Sequence, residues 1–267
     1  MIVASQIRDY VNHIWPERLS FDGDNVGLLV GRADKEVKKI LITLDVDEWV
    51  VEEAIKASAD VILSHHPLMF RPIKRLTSAD PMQKTLMLLA AHDITLISAH
   101  TNLDCVRGGL NDLLAKKLGI FSLEVIEPVG EHDGKVCGFG RVGEVEEGTT
   151  VGSMLQRCVE ALGIKGARYV GDVDRQVRKV AVNCGGGADE INHCIAMEVD
   201  LFITGDVKYN PFRDAYESGM AIIDAGHYET EHIVTELFSA MITENFSEIE
   251  IVESKANVPV INYYIKK

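Results

Sequence analysis

The chain has 267 residues, 46% of them hydrophobic, and its 41 acidic against 27 basic side chains give a formal net charge of −14. That length can bury a substantial core, the acidic balance argues against nucleic acid as a partner, and the longest apolar runs, such as residues 86–91, fall far short of a bilayer span. Five cysteines without a Cys-x-x-Cys pair argue against a disulfide framework, and a start lacking a basic and then apolar leader leads us to expect a soluble cytoplasmic protein.

Taken in order, Val3, Ile7, Tyr10, Val11 and Ile14 form a helical stripe, and Asp22 to Gly27 reads as a turn-rich loop. An apolar strand over 38–43 leads to a helix over 48–57, with Asp45 and Asp47 placed to cap it. The next strand, 60–64, runs into His65-His66-Pro67. A helix over 82–91, a strand over 94–99 and a helix over 110–118 stopped by Gly119 complete the first lobe, residues 1–129.

Residues 130–174 differ in character and read as a bridging segment, with strands over 136–142 and 167–170 and an amphipathic helix over 151–162 ended by Gly163. After it the pattern repeats. The strand over 178–183 matches that over 38–43, and 200–204 matches 60–64, both 140 positions apart, as duplication of one βαβ unit would leave them. A third strand, 221–225, ends before His227 much as 94–99 ends before His100, and further strands are expected over 248–252 and 260–265. The reading is an α/β protein of two related lobes, 1–129 and 175–267, with mainly parallel sheets covered by helices. The two lobes can also form one compact unit.

Right-handed crossovers bring the C-terminal ends of such strands to one edge, where parallel sheets place their chemistry. Three segments there carry metal-ligand chemistry: His65 with His66, His100 with Asp104, and His227 with Glu231. Each has an ordinary alternative. Adjacent histidines in a strand face opposite ways, so His65 and His66 need a bend, which Pro67 gives the backbone a reason to make. Thr101, Asn102 or Asp104 can serve as helix caps, and the acids after His227 suit a first helical turn. Equivalent placement in a duplicated unit favours the metal reading over three separate structural roles. His13, His92, His132, His193 and His232 read as ordinary histidines.

Gly185-Gly186-Gly187 before a helix offers amides to an anion or is merely a tight turn, and Lys208 could neutralise a phosphate. Cys105 and Cys184 lie near strand ends without a partner that marks a nucleophile.

With these residues in view, the chain resembles the Nif-three-like dinuclear-metal family, whose members are often labelled GTP cyclohydrolase 1 type 2 homologues. The likeness is carried by Asp24-Asn25-Val26-Gly27-Leu28, Ser64-His65-His66-Pro67-Leu68, His100 to Asp104, Thr204-Gly205-Asp206-Val207-Lys208-Tyr209, and Asp224-Ala225-Gly226-His227 with Glu231. The resemblance implies two divalent ions held by His65, His66, Asp104, His227 and Glu231, with Glu231 bridging, and it leaves His100 beside them or in proton transfer. It also implies a ring-shaped homohexamer.

Imidazole with carboxylate suits Zn, Fe, Mn or Ni rather than Ca. The expected function is a dinuclear metal-dependent hydrolase acting on a small nucleotide or related heterocycle, GTP cyclohydrolase-like by resemblance. The alternative is a metal-binding regulatory or assembly protein without turnover.

Overall fold

Runs such as Ile40-Leu41-Ile42 and Val61-Ile62-Leu63 are β-branched or aliphatic at consecutive positions, and each of these side chains is buried. Strands apolar on both faces belong inside a parallel sheet covered by helices. In the computed structural model, which describes residues 1–262 and 264, the strands in chain order are β1 (Gly27–Val30), β2 (Lys39–Thr43), β3 (Val61–Ser64), β4 (Thr95–Ser98), β5 (Phe121–His132), β6 (Lys135–Glu144), β7 (Arg168–Val170), β8 (Lys179–Val182), β9 (Leu201–Thr204), β10 (Ala221–Asp224) and β11 (Glu250–Glu253). The chain divides into two units, Met1–Leu103 with Val234–Val258, and Asp104–Ile233 with the segment from Pro259. No helix among the described residues is long and apolar enough to cross a membrane.

The first unit holds a sheet of order β1-β4-β3-β2-β11, in which β4, β3, β2 and β11 are parallel and β1 runs antiparallel to β4. Leu41, Ile62 and Leu96 meet Val50, Val51, Ala54 and Leu89 from the helices Glu48–Ala57 and Pro81–Ala91. The first of these helices starts where Asp47 accepts the Val50 amide and ends in left-handed Ser58. Helix Val234–Asn245 packs on β2, and its Phe238 meets Trp15 at 5.7 Å between ring centroids.

The second unit holds a sheet of order β5-β6-β8-β9-β10-β7. Its centre, β8-β9-β10, is parallel, and antiparallel strands flank it on both sides: the β5–β6 hairpin beyond β8, and β7 beyond β10. Strands β6 and β7, which lie within residues 130–174, are therefore members of this sheet. Ala181, Phe202 and Ile222 form its core with Ile191, Cys194 and Ala215.

The repeat extends to main-chain detail. Asp60 accepts the amides of Lys38 and Lys39 at 2.8 and 3.1 Å, and Asp200, 140 positions later, accepts those of Arg178 and Lys179 at 2.9 Å each. Gly31, with φ +98°, passes over Thr95 where β4 begins, and Gly171, with φ +119°, passes over Ala221 where β10 begins. Both glycines follow the short strand that runs antiparallel to the third strand of its copy.

Three strand assignments differ from the sequence reading. β1 escapes it because four residues of uneven burial give no alternation. β5 escapes it because Pro128 and Gly130 look like breakers, whereas the strand takes them up in a register shift. The strand expected over 260–265 is absent from residues 260–262, and residues 263 and 265 lie outside the described residues.

A Cβ at Gly31 would come within 2.7 Å of the Thr95 Cα, in a backbone conformation that side chains avoid. Gly31→Ala is expected to lower stability by about 2 kcal/mol or more, read from the denaturant midpoint. An unchanged midpoint would refute this account of the crossing.

Candidate metal centre

The β3 ladder releases the chain at Ser64. The amides of His65 and His66 still donate to Thr43 O at 3.2 Å and Leu44 O at 2.9 Å, but the Ser64 hydroxyl reaches forward to His66 O at 2.9 Å and the backbone bends before Pro67. The two rings consequently lie 5.2 Å apart at 36° instead of on opposite faces. The His100 ring, delivered by the end of β4, is 5.3 Å from His65 and 5.4 Å from His66. One ligand nitrogen from each of the three lies within 4.8 Å of the other two.

Their Nδ1 atoms are held by acceptors. His65 Nδ1 is 2.8 Å from Ala99 O, His66 Nδ1 is 2.7 Å from Asp45 Oδ1, and His100 Nδ1 is 2.9 Å from Asp24 Oδ1. A carbonyl or carboxylate oxygen can only accept, so each Nδ1 carries a proton, and a ring that holds no second proton keeps its lone pair on Nε2. Burial alone would raise the pKa of Asp24, but hydrogen bonds from His100 and Thr101, the His100 charge and the Asn25 amide outweigh it and hold the carboxyl down at about 2.

In the second unit, Asp104 lies on the short helix Thr101–Cys105, and its carbonyl accepts from Asn111 Nδ2 at 3.2 Å. Asn111 Oδ1 in turn accepts the Cys184 amide at 2.9 Å, while the Cys184 thiol donates to Asp104 Oδ1 at 3.3 Å. Burial, reinforced by the charges of Asp104 and Glu231, pushes the Cys184 thiol well above its ordinary pKa, so it serves as a donor rather than a nucleophile. His227 and Glu231 stand four apart on helix His227–Glu231, with His227 Nε2 2.9 Å from Glu231 Oε2 and His227 Nδ1 2.7 Å from Asp206 Oδ2.

The donor chemistry fits a cation. The carboxylates of Asp104 and Glu231 approach within 4.8 Å of each other in surroundings where both residues are buried, an arrangement that calls for positive charge. Gly185 completes the cradle: a Cβ there would lie 2.0 Å from Glu231 Oε1 and 3.1 Å from His227 Nε2. In the glycine loop the amides of Gly185 and Gly187 donate to the hydroxyls of Thr230 and Thr204 at 3.0 Å each, so these two are spent within the protein. Lys208 stands exposed at the start of helix Tyr209–Ser218.

Within the first unit the structure brings His65, His66 and His100 together, and within the second it brings Glu231 to both Asp104 and His227. Asp24, Asp45 and Asp206 are the functional candidates that sequence reasoning missed. Asp45 looked like a second cap beside Asp47, yet only Asp47 caps and Asp45 bonds His66. The available signal was an acid just beyond a strand end, as Asp45 follows β2 and Asp206 follows β9.

Residues 2–259 match the family model of Duf34/NIF3 (NGG1p interacting factor 3). A protein from Clostridium perfringens named GTP cyclohydrolase 1 type 2 homolog is 37% identical over 94% of this chain and 95% of its own length, and one of the same name from Clostridium acetobutylicum is 37% identical over 86% of each. Among solved structures, a Bacillus cereus protein related to NIF3 superposes with a TM-score of 0.90 at 25% identity, covering 99% of this chain and all of the other. Reduced HcgD from Methanocaldococcus jannaschii gives 0.80 at 32% identity, covering 94% of this chain and 97% of the other.

Because the folded-state pKa of Asp24 is depressed, its ionisation contributes stability that is complete above the ordinary value of 3.8 and disappears as pH falls through about 2. Asp24→Asn should flatten the fall of the urea midpoint between roughly pH 4 and 2. Parallel wild-type and variant profiles would contradict the ionised pairing with His100.

Proposed function

Because the chain belongs to the Duf34/NIF3 family, we propose that His65, His66, Asp104, His227 and Glu231 hold two divalent ions, of Zn, Fe, Mn or Ni, and that the protein is a hydrolase of a small nucleotide or related heterocycle. The observation that carries this is the fixing of every ligand imidazole through Nδ1, by Ala99 O, Asp45 and Asp206, which leaves Nε2 as the ligating atom; on His227 that atom stands 2.9 Å from Glu231 Oε2, where an ion would take the place of a proton. Divalent ions in such a set supply Lewis acidity, acidifying water and polarising the bond under attack.

The remaining roles fall to the chain itself. Asp104 and Glu231 supply the anionic charge that keeps cations bound, and the Cys184 thiol and Asn111 set the rotamer and backbone position of Asp104. His100, held at Nδ1 by ionised Asp24, is placed to accept or deliver a proton at Nε2. The relatives' name directs the substrate search to opening of the GTP imidazole ring, with phosphoester hydrolysis the neighbouring chemistry. A homohexameric ring is the proposed assembly.

Metal analysis and a turnover screen over guanine nucleotides and phosphoesters, with and without chelator, test the reading. Chelator-sensitive turnover supports it, whereas tight metal without turnover, together with dissociation of the oligomer on chelation, favours a structural or regulatory centre. His66→Ala and Glu231→Ala are expected to lose metal and turnover together while keeping the wild-type circular dichroism. Full activity in metal-free His66→Ala would sink the proposal. Asp206→Asn should weaken metal affinity by about 10- to 100-fold in a competition titration, and wild-type affinity would show that its bond to His227 is incidental.

A further inference from the structure

A second group of metal-ligating side chains lies in the second unit, on residues to which the centre above assigns no role. Glu190 closes the 3-10 turn Gly187–Glu190, and the helix Ile191–Ala196 follows directly. Glu190 and His193 therefore stand three positions apart on one helical face, a Glu-x-x-His spacing that gives one ion a carboxylate and an imidazole from a single helix. His193 Nδ1 lies 2.8 Å from Glu190 Oε2. Glu127, on β5, contributes a second carboxylate, and one ligand atom from each of the three residues lies within 4.8 Å of the other two. The β5–β6 register breaks immediately after Glu127, between Pro128 and Gly130, and such a shift re-aims neighbouring side chains.

The charges do not balance within the trio. Glu190 is only 6% exposed and its carboxyl touches that of Glu127, so two acids share one small, partly dehydrated space with a single imidazole. One imidazolium neutralises one carboxylate, and the other must either face a like charge or hold a proton shared with its neighbour, a proton that a cation can replace. Burial and the Glu127 contact raise the pKa of Glu190 despite His193. A divalent ion compensates both acids, and the His193 side chain, 54% exposed, gives it a path from solvent.

We propose that Glu127, Glu190 and His193 form a separate site for one divalent transition-metal ion of the zinc or manganese class, distinct from the two ions proposed above. Two carboxylates and an imidazole leave positions for water and match the ligand preference of these metals. The ion takes the place of the proton between His193 Nδ1 and Glu190 and ties β5 to the helix that follows the Gly185–Gly187 loop. Its role is structural.

The proposal stands independently of hydrolase activity and is tested with zinc alone. Wild type, Glu190→Gln, His193→Ala and His66→Ala are stripped of metal, dialysed against Zn²⁺ and assayed for zinc per chain, and wild-type and His66→Ala crystals are recorded across the zinc absorption edge. We expect an anomalous peak among Glu127, Glu190 and His193 in both crystals, and one zinc fewer per chain in Glu190→Gln and His193→Ala than in wild type. His193 is a surface side chain, so its replacement separates loss of the ion from loss of the fold. Equal zinc in wild type and both variants, with no peak at the trio, would overturn the site whatever the His65–His66 centre binds.

Discussion

An imidazole ligates a metal through the nitrogen that does not carry its proton, and in this protein oxygens that cannot donate stand against Nδ1 of each candidate ring, which leaves Nε2 to face the site. Asp45, Asp206 and Asp24 hold His66, His227 and His100, and the Ala99 carbonyl holds His65. Each pairing fixes a tautomer and a ring orientation at once. The consequence runs back through the fold, because the acceptors are set by strand ends: Asp45 lies beyond β2, Asp206 beyond β9 and Ala99 beyond β4. A sheet whose strands slipped by one residue would reverse these side chains and dismantle the proton arrangement with them.

Asp104 is placed by a different device. Arg141 is completely buried, and it donates to Asp112 at 2.6 Å, to the carbonyls of Gly138 and Gly140, and to those of Cys105 and Val106 just after Asp104. A buried guanidinium is costly unless its donors are met, and here Nε, Nη1 and Nη2 all find acceptors. It thereby pins the backbone beyond Asp104 to β6, while Asn111 holds the Asp104 carbonyl from the other side. Asp104 is thus aimed by packing and hydrogen bonding deep in the unit, before any cation contributes.

Much of this was legible in the sequence. The 140-residue repeat is visible because two apolar runs recur at one and the same offset, which settles what either short run alone leaves open, and the histidines are visible because they stand where those strands end. The partners were not. Asp24, Asp45 and Asp206 are common turn and cap residues, and only the folded backbone shows which of them turns to an imidazole. Glu127 and Glu190 were invisible for another reason: one sits in a strand interrupted by Pro128 and Gly130, the other in a 3-10 turn, and their meeting depends on pairing across distant segments. The short edge strand β1 carries too few residues to declare a period, whereas β7 was read within 167–170, and Gly31 and Gly171, placed alike in the two copies, record where each strand ends.

Strand β5 forms one border of its sheet with twelve residues, enough in principle to recruit a neighbour by main-chain hydrogen bonding. Its pairing with β6 breaks at two places, and Pro128 removes one amide, so the outward row of donors and acceptors is out of step with any regular incoming strand. At the opposite border, three-residue β7 offers almost no ladder to extend. Neither border of the second sheet therefore offers a regular ladder on which a neighbouring strand could continue it into a fibre.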